Sequence, residues 1–579
     1  MRGIVMEEKK LTGYPSIDKP WLKYYTESLA DKPLPQKTLY KMIYDANKDH
    51  KSDYAFNYFG RRITYGQLFY EIDRCAKALL RLGVKSDDIV TIMGLSAPET
   101  FYVAYACSKI GAVINLISVL ASEQELVHYL NETKSKVFIA LDLFNDKIIE
   151  ALPQTGVKTV VNMSLAESMP LHIKTVFKLK AKVQKCKDFM PWKAFVALAE
   201  GQPPVKVFKF VSNRFSYLAH TGGTTGEPKG VMLCDEGLIG VAKEYAAMML
   251  YKKGDRFVNS IVPFVVYGFL LNSHLPLGLG LEVYLIPKVD VAKFPKFIVK
   301  HKINHMATVP PYLETFSNDS CTKKDISFIR TVGTGGDGMT KELEIAINST
   351  LAHGGSDSQV MNGYGLTETS TALCASFPVI KCVGSSGIPL SHIRMAAFDI
   401  DTNEELKYRE IGELCGDTPY LMLGYLNNPE ATAEVVKTHA DGKKWFHTGD
   451  LGYITEEGAV FITGRIKRII LTEKDGMVSK IFPDRVEKLL ESHKAVEVSC
   501  VVKQPGDSAE VKLTAHVVLK EKYRVNSSRV DQELRKLCDS ELPEYSRPDK
   551  YVFRESMPLT AAGKVDFRTL EKMAEESHT

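Results

Sequence analysis

Strand-like and helix-like segments alternate along this chain from Arg62 to about Val332. Residues 63–84 carry apolar side chains at helical spacing, and residues 87–94 follow as a short run rich in β-branched residues. The same alternation recurs over residues 98–117 and 122–141. Alternation of this kind predicts parallel sheets wrapped by helices. We therefore expect an α/β fold with two parallel-sheet subdomains.

The pattern changes after Ser385, where short strands and turns predominate. This texture predicts a β-rich subdomain. Residues 464–467 resemble a boundary, because helices and strands of their own follow over about 110 residues, within the usual size of a domain. We expect a large region, residues 1–466, followed by a small α+β C-terminal domain, residues 467–579.

Composition and charge exclude several classes of protein and of binding partner. The 579 residues exceed what one core usually serves, and Lys and Arg outnumber Asp and Glu by only 74 to 70. A net charge of +4 is too small to indicate a nucleic-acid footprint over the whole surface. The cysteines show no C-x-x-C pair or zinc-ligand spacing, the start lacks a signal-peptide pattern, and the apolar run 261–287 is interrupted by polar residues and prolines. We expect a soluble cytoplasmic protein that binds no nucleic acid.

A basic segment lies between His172 and Lys187 and contains no acidic residue. If it is helical, four of its lysines share one face and its apolar residues form a broad side; the lysines are Lys174, Lys178, Lys182 and Lys185, and the apolar residues are Ile173, Val176, Phe177, Leu179 and Val183. One interpretation is a solvated helix packed on its own domain. The other is peripheral contact with an anionic membrane.

A glycine- and threonine-rich loop runs from Thr221 to Gly230 after a strand-like segment. Glycines let backbone N–H groups approach phosphate oxygens, and the hydroxyls can donate to the same charge. The loop is no Walker motif, because Gly230 follows Lys229 where Ser or Thr is required. A plain structural turn is the alternative for any such stretch.

This loop resembles the signature of the adenylate-forming superfamily, which includes acyl-CoA synthetases. Further motifs follow in the family's order: NGYGLTETS (362–370), WFHTGDLG (445–452), GRIKRII (464–470) and LTAAGKVDFRTL (559–570). The resemblance covers about residues 63–570 and implies two half-reactions: ATP and a carboxylic acid give an acyl-adenylate and pyrophosphate, and CoA then gives acyl-CoA and AMP. It implies ATP/AMP, Mg²⁺ and coenzyme A as cofactors or co-substrates.

Site residues carry over motif by motif. The resemblance assigns Lys564, Thr367 and Glu368 to catalysis, with Glu368 also the metal ligand, and Lys467 to the hinge on which the small domain pivots. It assigns nucleotide binding to Thr221, Gly222, Gly223, Thr224, Thr225, Gly226, Lys229, Gly335, Asn362, Gly363, Tyr364, Gly365, Asp450 and Arg465. The chemistry suits them, since a lysine between two anions stabilises in-line attack on phosphorus and a hard carboxylate suits Mg²⁺.

The acyl pocket is expected to be apolar. Its predicted wall comprises Tyr267, Gly268, Phe269, Met306, Thr308, Gly333 and Gly336. By resemblance, Gly365 stands where enzymes for acetate place tryptophan, so we expect room for a larger acid, such as a medium- or long-chain fatty acid. Amino-acid adenylation domains need an acidic residue within 262–271, and none is present.

Three alternatives stay open: an adenylase that loads a carrier protein in trans, a fatty-acid adenylase that does not use CoA, and a non-catalytic nucleotide-binding relative. The chain departs from the family at Asp235, where a histidine often stands, in lacking a histidine within 262–269, and in two additional residues within 473–487. Because of these departures, the sequence does not determine the shape of the acyl entrance or the CoA contacts. It does not determine the oligomeric state either.

Overall fold

The computed structural model describes residues 11–26, 29, 31–181, 183–221, 228–377, 380, 382–474, 477–504, 511–559 and 565–576. Its packing defines two compact units. The large unit comprises Pro20–Arg394 and Gly416–Phe446, and the small unit comprises Met1–Lys19, Met395–Cys415 and His447–Thr579. The small unit thus includes part of the β-rich segment, and the domain boundary at residues 466 and 467 stays a prediction.

The α-helices of the described residues, in chain order, are α1 (Pro15–Asp18), α2 (Leu39–Asn47), α3 (Tyr65–Arg81), α4 (Pro98–Ile110), α5 (Glu123–Glu132), α6 (Asn145–Ala151), α7 (Leu171–Lys180), α8 (Trp192–Ala197), α9 (Asp235–Ala247), α10 (Val266–Phe269), α11 (Leu275–Gly278), α12 (Phe294–His301), α13 (Pro310–Asn318), α14 (Lys341–His353), α15 (Pro429–Val435), α16 (Pro483–Glu491), α17 (Ser527–Glu541) and α18 (Phe567–Glu576).

The strands are β1 (Tyr54–Tyr58), β2 (Arg61–Thr64), β3 (Ile89–Met93), β4 (Val113–Ile117), β5 (Val137–Leu141), β6 (Thr159–Met163), β7 (Met190–Pro191), β8 (Phe215–Thr221), β9 (Lys229–Cys234), β10 (Arg256–Asn259), β11 (Glu282–Leu285), β12 (His305–Thr308), β13 (Thr331–Thr334), β14 (Val360–Tyr364), β15 (Cys374–Ala375), β16 (Ile388–Pro389), β17 (Arg394–Phe398), β18 (Gly412–Asp417), β19 (Gly424–Tyr425), β20 (Val436–Thr438), β21 (Lys444–Ile454), β22 (Val460–Arg465), β23 (Ile470–Lys474), β24 (Met477–Ile481), β25 (Val496–Lys503), β26 (Leu513–Leu519) and β27 (Lys550–Arg554).

The large unit contains two mostly parallel sheets. Within the described residues, one has the order β16-β15-β14-β13-β12-β10-β11-β1-β2 and the other the order β19-β9-β8-β4-β3-β5-β6-β7. Strands β1, β11, β10, β12, β13 and β14 run parallel to their neighbours in that series, as do β8, β4, β3, β5, β6 and β7. The predicted pair of parallel-sheet subdomains is confirmed.

Local signals explain why the alternation could be read from the sequence. Helix α3 begins with a capping box in which Thr64 and Gln67 satisfy each other's backbone N–H groups, and α5 begins with the same motif from Ser122 and Glu125. Strands β4 and β5 are buried at every position, as expected for parallel strands covered by helices on both faces.

The basic segment forms helix α7 only as far as Lys180. Ala181 takes up an extended backbone conformation, with φ −71° and ψ 120°, and Lys185 therefore does not lie on the helix. Lys182 lies outside the described residues. The expectation of one lysine face that extends through Lys185 is wrong, since the helix stops before it.

The small unit has an α+β core. Its sheet β25-β26-β27 packs with α16 and α17 around buried aliphatic residues such as Val486, Leu490, Val517 and Leu534. A hairpin of β23 and β24 also belongs to this unit. Among the described residues, a further sheet that is not confined to this unit has the order β17-β18-β21-β20, and β22 pairs with β21. The predicted fold class is confirmed. No helix in the described ranges is long and apolar enough to cross a membrane.

Candidate functional site

The glycine-rich loop closes a hairpin of the large unit. Strands β8 and β9 are antiparallel, and Thr221 and Lys229 lie opposite each other at the end of the hairpin that the loop joins. Gly222, Gly223, Thr224, Thr225 and Gly226 lie outside the described residues. Because both ends of the loop belong to a sheet, the backbone on either side of the predicted phosphate cradle is fixed by ladder hydrogen bonds.

The second motif begins in β14, at the carboxyl end of a parallel strand. Asn362, Gly363 and Tyr364 are half-buried there. Asn362 donates its amide N–H to the Ser385 carbonyl oxygen over 3.2 Å, which leaves its own Oδ1 as an acceptor for a donor such as an exocyclic amine. Ligands of open α/β sheets bind beyond the carboxyl ends of the strands, where this motif lies.

A tyrosine links the two motifs. Tyr425 donates its phenolic O–H to Glu368 Oε1 over 2.8 Å, and Lys229 Nζ lies 4.9 Å from the centroid of the same ring. Both Tyr425 and Glu368 are buried. Burial, reinforced by the Glu368 charge, raises the pKa of Tyr425 well above its usual value, so the phenol keeps its proton. Strand β19 sets this geometry because Tyr425 pairs with Val231 of β9.

Two hydroxyls lie at the neighbouring strand ends. Thr308 of β12 and Thr334 of β13 are paired in register, and their Oγ1 atoms are buried without a hydrogen-bond partner among the described residues. Gly335 and Gly336 follow β13 directly, and the Gly335 N–H donates to the Thr308 carbonyl. A buried hydroxyl without a partner is costly, so these two groups point to a polar ligand at this edge.

The predicted acyl wall is only partly assembled. Tyr267 donates its O–H to the Thr308 carbonyl over 3.1 Å. An ideal Cβ on Gly333 would lie 3.0 Å from the Tyr245 hydroxyl, so Gly333 faces Tyr245. Phe269 lies in the interior, with its ring 5.0 Å from that of Tyr217. The backbone at Gly268 closely approaches Val262.

Met306 does not belong to this wall. In β12 it pairs with Val332, and both pack in the core beneath α12, α13 and α14. The next position, Ala307, pairs with Gly333 and lies on the opposite face. Side chains alternate between the faces of a strand, so the prediction that Met306 lines the same wall as Gly333 is wrong.

Gly365 is also different from the expectation. A Cβ at this position would overlap the Thr371 carbonyl oxygen and would lie 2.6 Å from the Ala372 Cα. Ser370 and Thr371 carry positive φ angles of 55° and 117°, which are uncommon for residues other than glycine. The glycine permits close backbone approach. The direction of this missing side chain opens no room for a bulky acid, so the expectation of pocket space at Gly365 is wrong.

In the small unit the predicted ribose contacts form a pair. Asp450 and Arg465 lie opposite each other in β21 and β22, and Arg465 Nε lies 2.8 Å from Asp450 Oδ1. Glu413 supports the turn before Asp450: it accepts from the Gly449 N–H over 2.9 Å and lies 2.7 Å from His447 Nδ1. The Asp450 carboxylate is thus held by its own sheet and by the preceding turn.

The predicted hinge lies beside a charge network. Lys467 is in the 3-10 turn Ile466–Arg468. Its neighbour Arg468 donates to Asp484 over 2.7 Å and forks onto both oxygens of Glu487. These partners hold the pKa of Arg468 above its usual value even though burial alone would lower it. Lys564, the predicted catalytic lysine, lies outside the described residues.

Sequence reasoning missed Tyr425, Thr334 and Glu413. Tyr425 stands 57 positions from Glu368, and only the pairing of β19 with β9 brings the two together. Thr334 lies between Gly333 and Gly335, which were both predicted as site residues, and this position was the available signal. No spacing pattern connects Glu413 to Gly449.

Two protein-family models match most of this chain. A family model described as AMP-binding enzyme matches residues 43–426, and a second, AMP-binding enzyme C-terminal domain, matches residues 485–564. The chain belongs to the AMP-binding enzyme family. The resemblance read from the motifs is thereby confirmed, and so is the prediction that the chain is an enzyme.

Relatives of this AMP-binding enzyme extend over almost its whole length. A long-chain-fatty-acid–CoA ligase from Bacillus subtilis (strain 168) is 30% identical over 97% of this chain and 99% of its own. The 4-coumarate–CoA ligase CCL1 from Humulus lupulus is 29% identical over 87% and 88%. These named CoA ligases support the predicted class, an AMP-forming acid–thiol ligase that uses ATP and CoA.

Solved structures share the fold. A benzoate CoA ligase from Burkholderia xenovorans LB400 superposes with a TM-score of 0.77 at 20% identity, over 92% of this AMP-binding enzyme and all of that chain. An anthranilate CoA ligase in complex with anthranoyl-AMP gives a TM-score of 0.80 at 20% identity, over 95% and 99%.

Proposed function

We propose that this enzyme activates a fatty or other bulky apolar carboxylic acid as its adenylate and transfers the acyl group to CoA. The observation that carries the proposal is the link from Lys229 through Tyr425 to Glu368, which joins the phosphate loop to the predicted metal ligand. A cation and a carboxylate held at one edge suit a nucleotide triphosphate with its metal.

The choice of an apolar acid rests on the acyl wall. Residues 262–271 contain no carboxylate that could hold a substrate ammonium, and Tyr267 and Tyr245 provide aromatic surface. The names of two relatives, one for long-chain fatty acids and one for 4-coumarate, support a long or aromatic acid. A long hydrocarbon chain and an aromatic ring are both largely apolar.

Glu368 fits a Mg²⁺ ligand. Its Oε1 is oriented by Tyr425, and magnesium in nucleotide sites is usually held by one or two carboxylates together with phosphates and waters. When bound, the ion would neutralise charge on the phosphates. Thr367 is half-buried next to Glu368 and supplies a hydroxyl for the α-phosphate in the proposed arrangement.

The remaining roles are also proposals. Tyr364 offers a flat ring to adenine, and Asn362 Oδ1 accepts from its exocyclic amine. Asp450 and Arg465 hold the ribose, Lys467 is the hinge, and Lys564 bridges the attacking carboxylate and the α-phosphate. A cation between two anions lowers the barrier to in-line attack because charge builds up there in the transition state.

Two measurements test the proposal. Incubation with ATP, Mg²⁺ and a panel of acids should release AMP in a CoA-dependent manner, with the largest rates for apolar acids. Pyrophosphate exchange without any thioester would favour an adenylase that loads a carrier protein in trans, and absence of both reactions would favour a non-catalytic relative.

The second measurement separates the half-reactions. Lys564→Ala should slow acid-dependent pyrophosphate exchange by orders of magnitude but leave thioester formation from preformed acyl-adenylate intact. Lys572→Ala, an exposed lysine of the same unit, is the matched control and should change neither. Equal loss of both half-reactions in Lys564→Ala would contradict its assignment. A cytoplasmic location also stays a prediction, consistent with ten free cysteines.

A further inference from the structure

Helix α7 exposes its largest aliphatic side chains. Leu171 and Leu179 are 83% and 82% exposed, and Val176 is 52% exposed. The helix has no buried residue at all, yet Ile173 and Phe177 are half-buried on the side that faces the protein. The apolar residues thus divide into two sets on opposite sides of one helix, of which only one packs on the large unit.

The exposed set lies on one side of the helix. With 3.6 residues per turn, Leu171, Val176 and Leu179 fall within an arc of roughly 140°, together with His172 and Thr175. Lys178 borders this arc on one side and Lys180 on the other, and both are exposed. Leu179 lies near the centre of this outer face, between Thr175 and His172.

Charge is also arranged around this surface. Residues 172–187 contain no Asp or Glu. Lys174 turns toward the protein, where Nζ donates to the Glu167 carbonyl over 3.3 Å and lies 3.7 Å from its carboxylate. Glu167 is therefore occupied by Lys174. Lys178 also acts electrostatically on Asp142, and the ammonium groups of Lys178 and Lys180 are exposed to solvent at the two borders of the apolar arc.

We propose that helix α7 is a docking surface for an anionic lipid membrane and lies in the plane of its interface. Leucine and valine would enter the boundary between headgroups and acyl chains, and Lys178 and Lys180 would extend their ammonium groups to lipid phosphates. Ten residues are too few to span a bilayer, which fits a helix that rests on the surface. The proposal does not depend on which acid the enzyme activates.

Vesicle sedimentation of the full chain tests the charge. We expect binding to phosphatidylglycerol vesicles, weakened by high salt, and none to phosphatidylcholine vesicles. Lys178→Gln/Lys180→Gln should reduce the partition coefficient by about fivefold per lysine. Lys323→Gln/Lys324→Gln removes the same charge from another exposed pair and should bind as the wild type does. Equal losses in both double variants would show that binding depends only on the net charge of the protein, and this result would overturn the proposal.

A second pair of variants tests insertion. Leu171→Ser/Leu179→Ser should reduce partitioning by at least about tenfold because each leucine loses apolar burial in the interface. Leu250→Ser/Ile345→Ser removes two other exposed aliphatic residues and should have no effect. Full binding by the α7 leucine variant would overturn the proposal, as would absence of wild-type binding to anionic vesicles. The latter result would favour a protein partner. Circular dichroism and pyrophosphate exchange would verify that every variant is folded.

Discussion

Replacing Tyr425 by phenylalanine is the sharpest test of the site in the large unit. The change keeps the ring beneath Lys229 and removes only the O–H that lies 2.8 Å from Glu368 Oε1. If Tyr425 orients the metal ligand, the carboxylate loses its directed donor and its alignment with the metal. Volume and apolar packing of the buried ring are nearly unchanged.

The size of the effect follows from the type of hydrogen bond. A bond to a charged group contributes about 1.5–3 kcal/mol. If the whole of this free energy serves to align Glu368 with the metal, its loss should slow Mg²⁺-dependent pyrophosphate exchange by about 10- to 150-fold. The measurement is the exchange rate as a function of free Mg²⁺ at saturating ATP and acid, in which the variant should need more metal for half-maximal rate.

A second tyrosine provides the control. Tyr408 donates to Asp18 Oδ2 over 3.0 Å within the small unit, so Tyr408→Phe also removes a bond between a phenol and a carboxylate. It should leave the Mg²⁺ profile unaltered. An unchanged Mg²⁺ profile in Tyr425→Phe would refute the reasoning, as would identical profiles shifted equally in both variants.

Burial raises the pKa of Asp235 to about 6, so its contribution to stability is present below the unfolded value of 3.8 and is lost as pH rises toward 6. Asp235→Asn should increase the free energy of unfolding by up to about 3 kcal/mol at pH 7.5 and by about half of that at pH 5; equal gains at both pH values would contradict this. Gly365→Ala should lower Tm and weaken ATP binding because its Cβ meets the Thr371 backbone, whereas Gly156→Ala, which faces open space, should do neither. Arg468→Met leaves Asp484 and Glu487 without their guanidinium partner and should cost about 3–5 kcal/mol in urea unfolding of the small unit; a cost below about 1 kcal/mol would show that the network is dispensable.

The alternation of strands and helices was readable because its signals are local. The capping boxes at Thr64 and Ser122 mark helix starts within four residues, and the β-branched run at 89–93 needs no distant partner to be recognised. The order of strands in the sheets is a different matter, since β1 lies beside β11, and no local pattern joins residues 54–58 to residues 282–285.

The site residues that belong to short sequence motifs were predicted, and those whose placement depends on the sheet were missed or misassigned. Asn362 and Glu368 could be read from one short motif. Met306 was misassigned because β12 is buried on both faces, so its apolar residues give no sign of which face each one occupies. The direction of the missing Gly365 side chain depends on the conformation of Thr371, six residues later, which sequence spacing does not report.

The position of Tyr425 bears on how the nascent chain reaches an active state. The polypeptide leaves the large unit at Arg394 and re-enters it at Gly416, and only this returning segment supplies β19 and its tyrosine. A ribosome that adds about 5–20 residues per second needs roughly 3–10 s to make the stretch from Met395 to Phe446. Until Gly424 and Tyr425 have been made, β9 has an unfilled edge and Glu368 lacks its donor. ATP should therefore add little protection against proteolysis to chains arrested before Gly416, and much more to chains released after Phe446.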